Sequence, residues 1–207
     1  MFIRMLFSDP RSFAALTLIV VFSICLHEFM HAYVALKMGD PTAAEQGHLT
    51  MNPFKQMGII SLIMLLLIGL AWGQVPVNPG NLKTRSRRIA VALAGVSANL
   101  ALAVIFIILA YLTIKFTVNN PFALTMLIQG AVMNLVLLCI NIMPIPGLDG
   151  FNVLREFIRF DSQKALERAN ICFFILTMLL FVSIDRITGF ALRVTAAFLN
   201  VLLQLGE

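Results

Sequence analysis

The chain has 207 residues, of which 60% are hydrophobic and only 12% charged, with a formal net charge of +5. A mean hydropathy of +0.94 lies well beyond the range of soluble globular domains and points to an integral membrane protein. The positive charge does not indicate a nucleic-acid partner, because the basic residues fall in loops between apolar runs and form no aromatic-interleaved patch.

Arg4 and Arg11 precede the first apolar run, 13–38, which carries straight on through His27-Glu28-Phe29-Met30-His31. A secretory signal would end at a small-residue cleavage site, and cleavage here would discard that motif, so a retained first helix is expected. Further apolar runs follow at 58–72, 89–112, 122–143, 171–184 and 189–205. Most approach the roughly 20 residues a helix needs to cross a bilayer, and such a helix satisfies its own backbone hydrogen bonds. The expected fold is therefore all-α: a polytopic membrane helix bundle of about five spanning helices. No repeat or long polar linker interrupts the chain, so residues 1–207 read as a single integral domain, with a core at 12–153 and accessory helices at 154–207. Cys25, Cys139 and Cys172 lie inside apolar segments without CxxC spacing, which favours free buried thiols over a disulfide or thiolate zinc site.

His27 and His31 stand at i and i+4, so one helix face offers both imidazoles to a single ion. Glu28 lies beside them, placed to accept a proton from a metal-activated water. This HExxH pattern is only a modest signal by itself, but an ionisable residue inside a bilayer costs at least ~2.5–3.5 kcal/mol and normally has a functional partner. Catalytic zinc takes three protein ligands and keeps a fourth position for water. His48 sits in the polar loop GHLTMNP and reads as a solvated loop residue. Asp149 is the stronger third candidate: Pro144, Pro146, Gly147 and Gly150 must break the helix around it and can fold its carboxylate back toward the bundle. The competing reading is a surface aspartate in a helix-ending turn.

HEFMH in an apolar helix, AGVSAN opening a later one, and a distal NIMPIPGLDG together resemble the site-2 protease family of intramembrane zinc metalloproteases. The segments GHLTMNPFKQMG and AWGQVPVNPGNLK are similar to a small prokaryotic branch without a PDZ domain. The resemblance covers about 12–153 and implies one Zn2+ held by His27, His31 and Asp149, with Glu28 as catalytic glutamate. It also implies that Asn99 faces the active site and that Asn141 opens the distal motif, where either could contact the oxyanion or an unwound substrate backbone. A plain helix–helix hydrogen bond, worth ~0.6 kcal/mol in membranes, is the alternative for each asparagine. Val96 stands where the family commonly has proline, which weakens the detailed correspondence around Asn99 but not that of the metal site.

A shared ion requires His27, His31 and Asp149 at similar depth, since zinc–ligand bonds are only ~2.0–2.2 Å long. Both the first and the fourth apolar runs must then lead in the same direction, so one run between them fails to cross. The stretch 58–72, about 15 residues bounded by polar turns, is the expected re-entrant or non-spanning segment. On this topology ten Lys and Arg residues fall on the active-site side against Arg4, Arg11, Lys115 and Arg186 on the other. The excess marks the cytoplasm and places the site near the cytoplasmic face of what is expected to be a prokaryotic plasma membrane. The expected activity is zinc-dependent endoproteolysis within or near transmembrane segments of partner proteins in the lipid bilayer, as in regulated intramembrane proteolysis. Its rivals are an inactive membrane scaffold and a metal transporter; a transporter would spread ligands along a pathway. Residues 151–168 mix apolar and basic positions and suit either an interfacial helix or a solvated connection.

Overall fold

A computed structural model describes residues 2–116, 120–158 and 163–205, without the side chains of 163–172, 174, 177 and 181. Among these residues all regular structure is helical: α1 (Ile3–Ser8), α2 (Pro10–Met38), α3 (Thr42–Glu45), α4 (Pro53–Gln56), α5 (Gly58–Ile68), α6 (Arg85–Lys115), α7 (Pro121–Asn141), α8 (Asp149–Arg155) and α9 (Gln163–Leu205). The chain is a polytopic helical bundle. Helices α2, α6 and α7, with Val182–Leu205 of α9, are long and apolar enough to cross a membrane.

Local chemistry sets the ends of the spanning helices. Pro10 and Pro121 occupy the first turn of α2 and α7, where a missing N–H costs nothing. Asp9 accepts from Ser12 N–H at 3.1 Å and Asn120 from Ala123 N–H at 3.0 Å, each satisfying an orphan donor. Gly39, at φ 103°, closes α2 in the left-handed conformation that glycine adopts without a Cβ penalty.

Helix α6 forms the centre of the bundle, packed mainly against α7 and α2. Its buried face is rich in small residues, including Ala92, Ala94, Gly95, Ala98, Ala103 and Ala110. Lipid tails offer no hydrophobic gain for helix association, so close backbone approach over small residues supplies the packing.

The expected non-spanning segment is an apolar hairpin. α5 has only 11 residues, about 16 Å of helix at 1.5 Å per residue. It ends at Gly69, and the chain returns beside it. Ser61 Oγ donates to Trp72 O at 2.7 Å and accepts from Trp72 N–H at 2.9 Å, and Gln74 N–H donates to Gln56 O at 2.9 Å. The residue leaving the hairpin thus pairs with the residue entering it, and both ends lie at one depth. Val20, Ile24 and Cys25 of α2 pack against Leu65 and Met57 on its inner side. Ile59, Ile60 and Ile63 are exposed on its outer side.

The C-terminal region differs from expectation. The runs 171–184 and 189–205 belong to the single helix α9 rather than to two crossings. Arg186, Ile187 and Phe190 share a cleft with Cys139, Met143 and Pro144 at the end of α7, and Ala191 packs with Val132 and Val136 further back along it. Residues 186–205 therefore run antiparallel to α7, and the preceding part of α9 lies on the far side of its C-terminal end. Among the described side chains, Arg186 thereby joins Lys37, Lys55, Lys83, Arg85, Arg87, Arg88 and Arg155 on the Asp149 side, leaving Arg4, Arg11 and Lys115 opposite.

Candidate metal centre

Three elements converge at one depth. In α2, Ser23, His27 and His31 follow one another at i, i+4 and i+8, and all are buried. This stripe faces α6 and α7 rather than lipid. Between α7 and α8 the chain must reverse within a few residues. Gly147 adopts φ 93°, and a Cβ at Gly150 would overlap the backbone carbonyls of Ile142 and Met143. That tight turn brings Asp149, the first residue of α8, against the histidines.

His27 Nε2 lies 3.2 Å from Asp149 Oδ2, His31 Nε2 lies 3.2 Å from Asp149 Oδ1, and the two Nε2 atoms are 3.0 Å apart. All three residues are more than nine-tenths covered. The other ring nitrogens face acceptors: His27 Nδ1 is 2.5 Å from Asn99 Oδ1, and His31 Nδ1 is 2.7 Å from the carbonyl of Val91. A neutral imidazole has one N–H, and here both acceptors claim it at Nδ1, turning both Nε2 lone pairs toward Asp149. Two lone pairs and a carboxylate pointing at one another repel unless a cation lies among them.

The donor set fits zinc. Nitrogen and carboxylate oxygen are ordinary zinc ligands, and tetrahedral zinc with bonds near 2.0–2.1 Å sets its ligand atoms about 3.3 Å apart, close to the observed separations. Asp149 Oδ2 is buried without a hydrogen-bond partner, which is costly unless a charge is supplied. Gly95 completes the cradle, because a Cβ there would overlap the imidazole atoms of both histidines. Among the described residues, His27, His31 and Asp149 are the group of His, Cys, Asp and Glu side chains able to hold a metal ion.

Glu28 is 8% exposed and lies against the returning arm of the hairpin. A Cβ at Gly73 would overlap its Cγ, Cδ and Oε1 atoms, so the arm comes close only because glycine stands there.

Comparison with known proteins fits this geometry. The chain is 34% identical over 181 residues to a Bacillus subtilis protein named "Putative zinc metalloprotease YwhC", covering 83% of this chain and 80% of that one. The chain belongs to the site-2 protease family. Proteins named "Putative zinc metalloprotease Rip2" from Mycobacterium tuberculosis and Mycolicibacterium smegmatis are 34% and 33% identical, over 84% of this chain and 71% and 70% of theirs. No protein-family model and no solved structure matches the chain. The protein is thus an integral membrane zinc metalloprotease.

The remaining candidates of this metalloprotease separate clearly. Asn99 is fully buried beside the metal group, with Oδ1 toward His27 and Nδ2 donating to Asn134 Oδ1 at 3.2 Å. Asn141 is half-buried, and its amide donates to the Leu137 carbonyl one turn back in α7 at 3.0 Å. His48 lines a separate cleft with Gln46, Lys55 and Gln74. Cys25 is buried and Cys139 half-buried, both as free thiols, while the Cys172 side chain lies outside the described residues. Sequence reasoning missed Asn134, Ser23, Gly73 and the Val91 carbonyl. A signal did exist for Ser23: it continues the His27–His31 stripe one turn earlier.

Proposed function

We propose that this metalloprotease hydrolyses peptide bonds within or near the transmembrane segments of other membrane proteins. The observation that carries the reading is the depth of the site: the paired histidines and Glu28 belong to a membrane-spanning helix and meet Asp149 in a buried cluster. His27, His31 and Asp149 would hold the zinc ion, which would supply Lewis acidity for the scissile carbonyl and lower the pKa of water toward ~7. Glu28 accepts the proton of the attacking water and delivers it to the departing amine. Asn99, whose amide engages His27 and Asn134, orients a ligand rather than the oxyanion. Asn141 is kept as a contact for an unwound substrate backbone, close to the turn that carries Asp149.

A helical substrate hides its carbonyls in its own hydrogen bonds, so it must unwind before attack. Targets with glycine, proline or polar residues in the span unwind at least cost. The thin hairpin around Gly73, with lipid on its outer face, is the wall we assign to substrate entry. Among the described side chains, eight basic residues on the Asp149 side against three opposite support an active site near the cytoplasmic face of a prokaryotic plasma membrane.

The test is cleavage of a panel of tagged transmembrane substrates by purified protein in bilayers, with zinc quantified. Product from wild type, none from Glu28→Gln with zinc retained, and reduced zinc in Asp149→Ala are the expected results. Full zinc in Asp149→Ala would remove the third ligand from the scheme. Stoichiometric zinc with no cleavage of any target would favour a membrane scaffold or a metal transporter.

A further inference from the structure

We propose that Asn134 of α7 is a positioning residue for the metal centre, fixing the tautomer of His27 through Asn99. The inference rests on the assignment of His27 as a zinc ligand. Asn134 is fully buried, and each end of its amide is engaged. Its Nδ2 group donates to the Gly130 carbonyl at 2.9 Å and to Ser23 Oγ at 3.0 Å, and its Oδ1 accepts from Asn99 Nδ2 at 3.2 Å.

The order of donors along this chain follows from one backbone atom. A carbonyl oxygen only accepts, so the Asn134 atom facing Gly130 O must be the nitrogen. Its oxygen then faces Asn99, which must answer with its own nitrogen. Asn99 is left with Oδ1 toward His27, so His27 carries its proton on Nδ1 and keeps the Nε2 lone pair free. The two histidines reach the same state by different routes. His31 is held directly by the Val91 carbonyl, which cannot be flipped. His27 is held by a side-chain amide that can present either end, and Asn134 removes the ambiguity. Such indirect contacts commonly govern 10–100-fold in metal affinity.

The experiment uses the full chain in nanodiscs with two readouts: zinc affinity by chelator competition, and the His27 tautomer by 15N spectra of histidine-labelled, zinc-free protein. With only three histidines in the chain, the spectrum is assignable by single substitutions. Asn134→Leu is expected to weaken zinc binding about tenfold and to mix the His27 tautomers. Asn99→Ala should do the same, and Asn99→Ala/Asn134→Leu no more than Asn99→Ala alone, because the effect passes through Asn99. Asn134→Asp, neutral when buried, keeps a carbonyl toward Asn99 and an O–H toward Gly130, and should retain wild-type affinity and tautomer. If Asn134→Leu does not fold, Asn134→Ala takes its place in the same comparison. A zinc affinity and tautomer unchanged in the apolar variant would overturn the proposal, as would equal losses in both Asn99 backgrounds or an Asp variant as weak as Leu. Wild-type zinc affinity in His27→Ala would instead show that the ligand assignment beneath it is wrong.

Discussion

The wall of the site built by α6 and α7 and the wall built by the hairpin approach the reacting groups equally closely but are held in different ways. On the first, Val91, Ala92, Ala94, Ala98, Asn99 and Asn134 are all buried, and the Asn99–Asn134–Ser23 chain ties three spanning helices together. On the second, α5 buries only Ser61 and Leu65, and the returning arm is fastened by its bonds to Ser61 and Gln56. Metal geometry is thus assigned to interlocked helices, where a misplacement of 1 Å is costly. The wall beside Glu28 is an element with little buried surface, the kind that opens at low free-energy cost. A protease that must keep its ligands fixed and still admit a polypeptide needs both kinds of wall.

One added carbon on either side separates the two roles. Gly95→Ala is expected to have the largest effect: its Cβ displaces both imidazoles, and zinc affinity should fall by about 100-fold or more with activity following. Zinc titration of the purified variant checks it, and near-normal affinity would mean the α6 wall yields more easily than its packing implies. Gly73→Ala should act on proton transfer instead. Its Cβ meets the Glu28 carboxylate, so cleavage should drop about 10²-fold while bound zinc stays stoichiometric. If zinc is lost there as well, the two walls are not independent.

A smaller effect sharpens the comparison within the hairpin. Ser61→Ala removes the hydroxyl that pairs with both Trp72 backbone groups and leaves them without it. The loss should be about 1–3 kcal/mol of stability, read as a lower melting temperature in detergent at unchanged zinc content.

The parts of this architecture that were legible in the sequence are those where two constraints met at one residue. The i, i+4 spacing of His27 and His31 carries meaning because the surrounding run is apolar. The short run at 58–72 is marked as non-crossing because Asp149 must reach the depth of the histidines. Asn134 was illegible for the opposite reason: a single amide in an apolar helix satisfies many possible neighbours, and only the register between α6 and α7 selects Asn99. The continuity of α9 was hidden by Asp185 and Arg186 between the two runs, with Gly189 opening the second. Aspartate, arginine and glycine each cost no more than about 1 kcal/mol inside a helix, and packing of Ala191 against Val132 and Val136 carries the helix through.

An effect no larger than that of Ser61→Ala concerns how the hairpin's exit is anchored. Asp40, fully covered just beyond α2, accepts from the Thr42 amide and hydroxyl, from Asn81 Nδ2 at 2.8 Å and from the Asn78 amide at 2.7 Å. It therefore clasps the segment leaving Gly73 to the end of the helix that bears the histidines. Burial alone would raise its pKa, but the hydrogen bonds from Thr42, Asn81 and Asn78 outweigh it and hold the carboxyl below its ordinary value. A group depressed in the folded state stabilises fully above its unfolded pKa, near 3.9 for aspartate, and ceases to do so as pH falls through the lower folded value. Asp40→Asn keeps the shape and removes the charge, and should cost about 1–3 kcal/mol at neutral pH by setting an amide N–H against donors. The difference in melting temperature between wild type and Asp40→Asn should stay level above about pH 5 and shrink below about pH 4. Subtracting the variant removes the protonation of the histidines, which weakens zinc binding in both proteins. A difference that stayed constant down to about pH 3 would mean that the anchor depends on shape rather than on the ionised carboxylate. The hairpin wall would then be tied to α2 as firmly in acid as at neutrality.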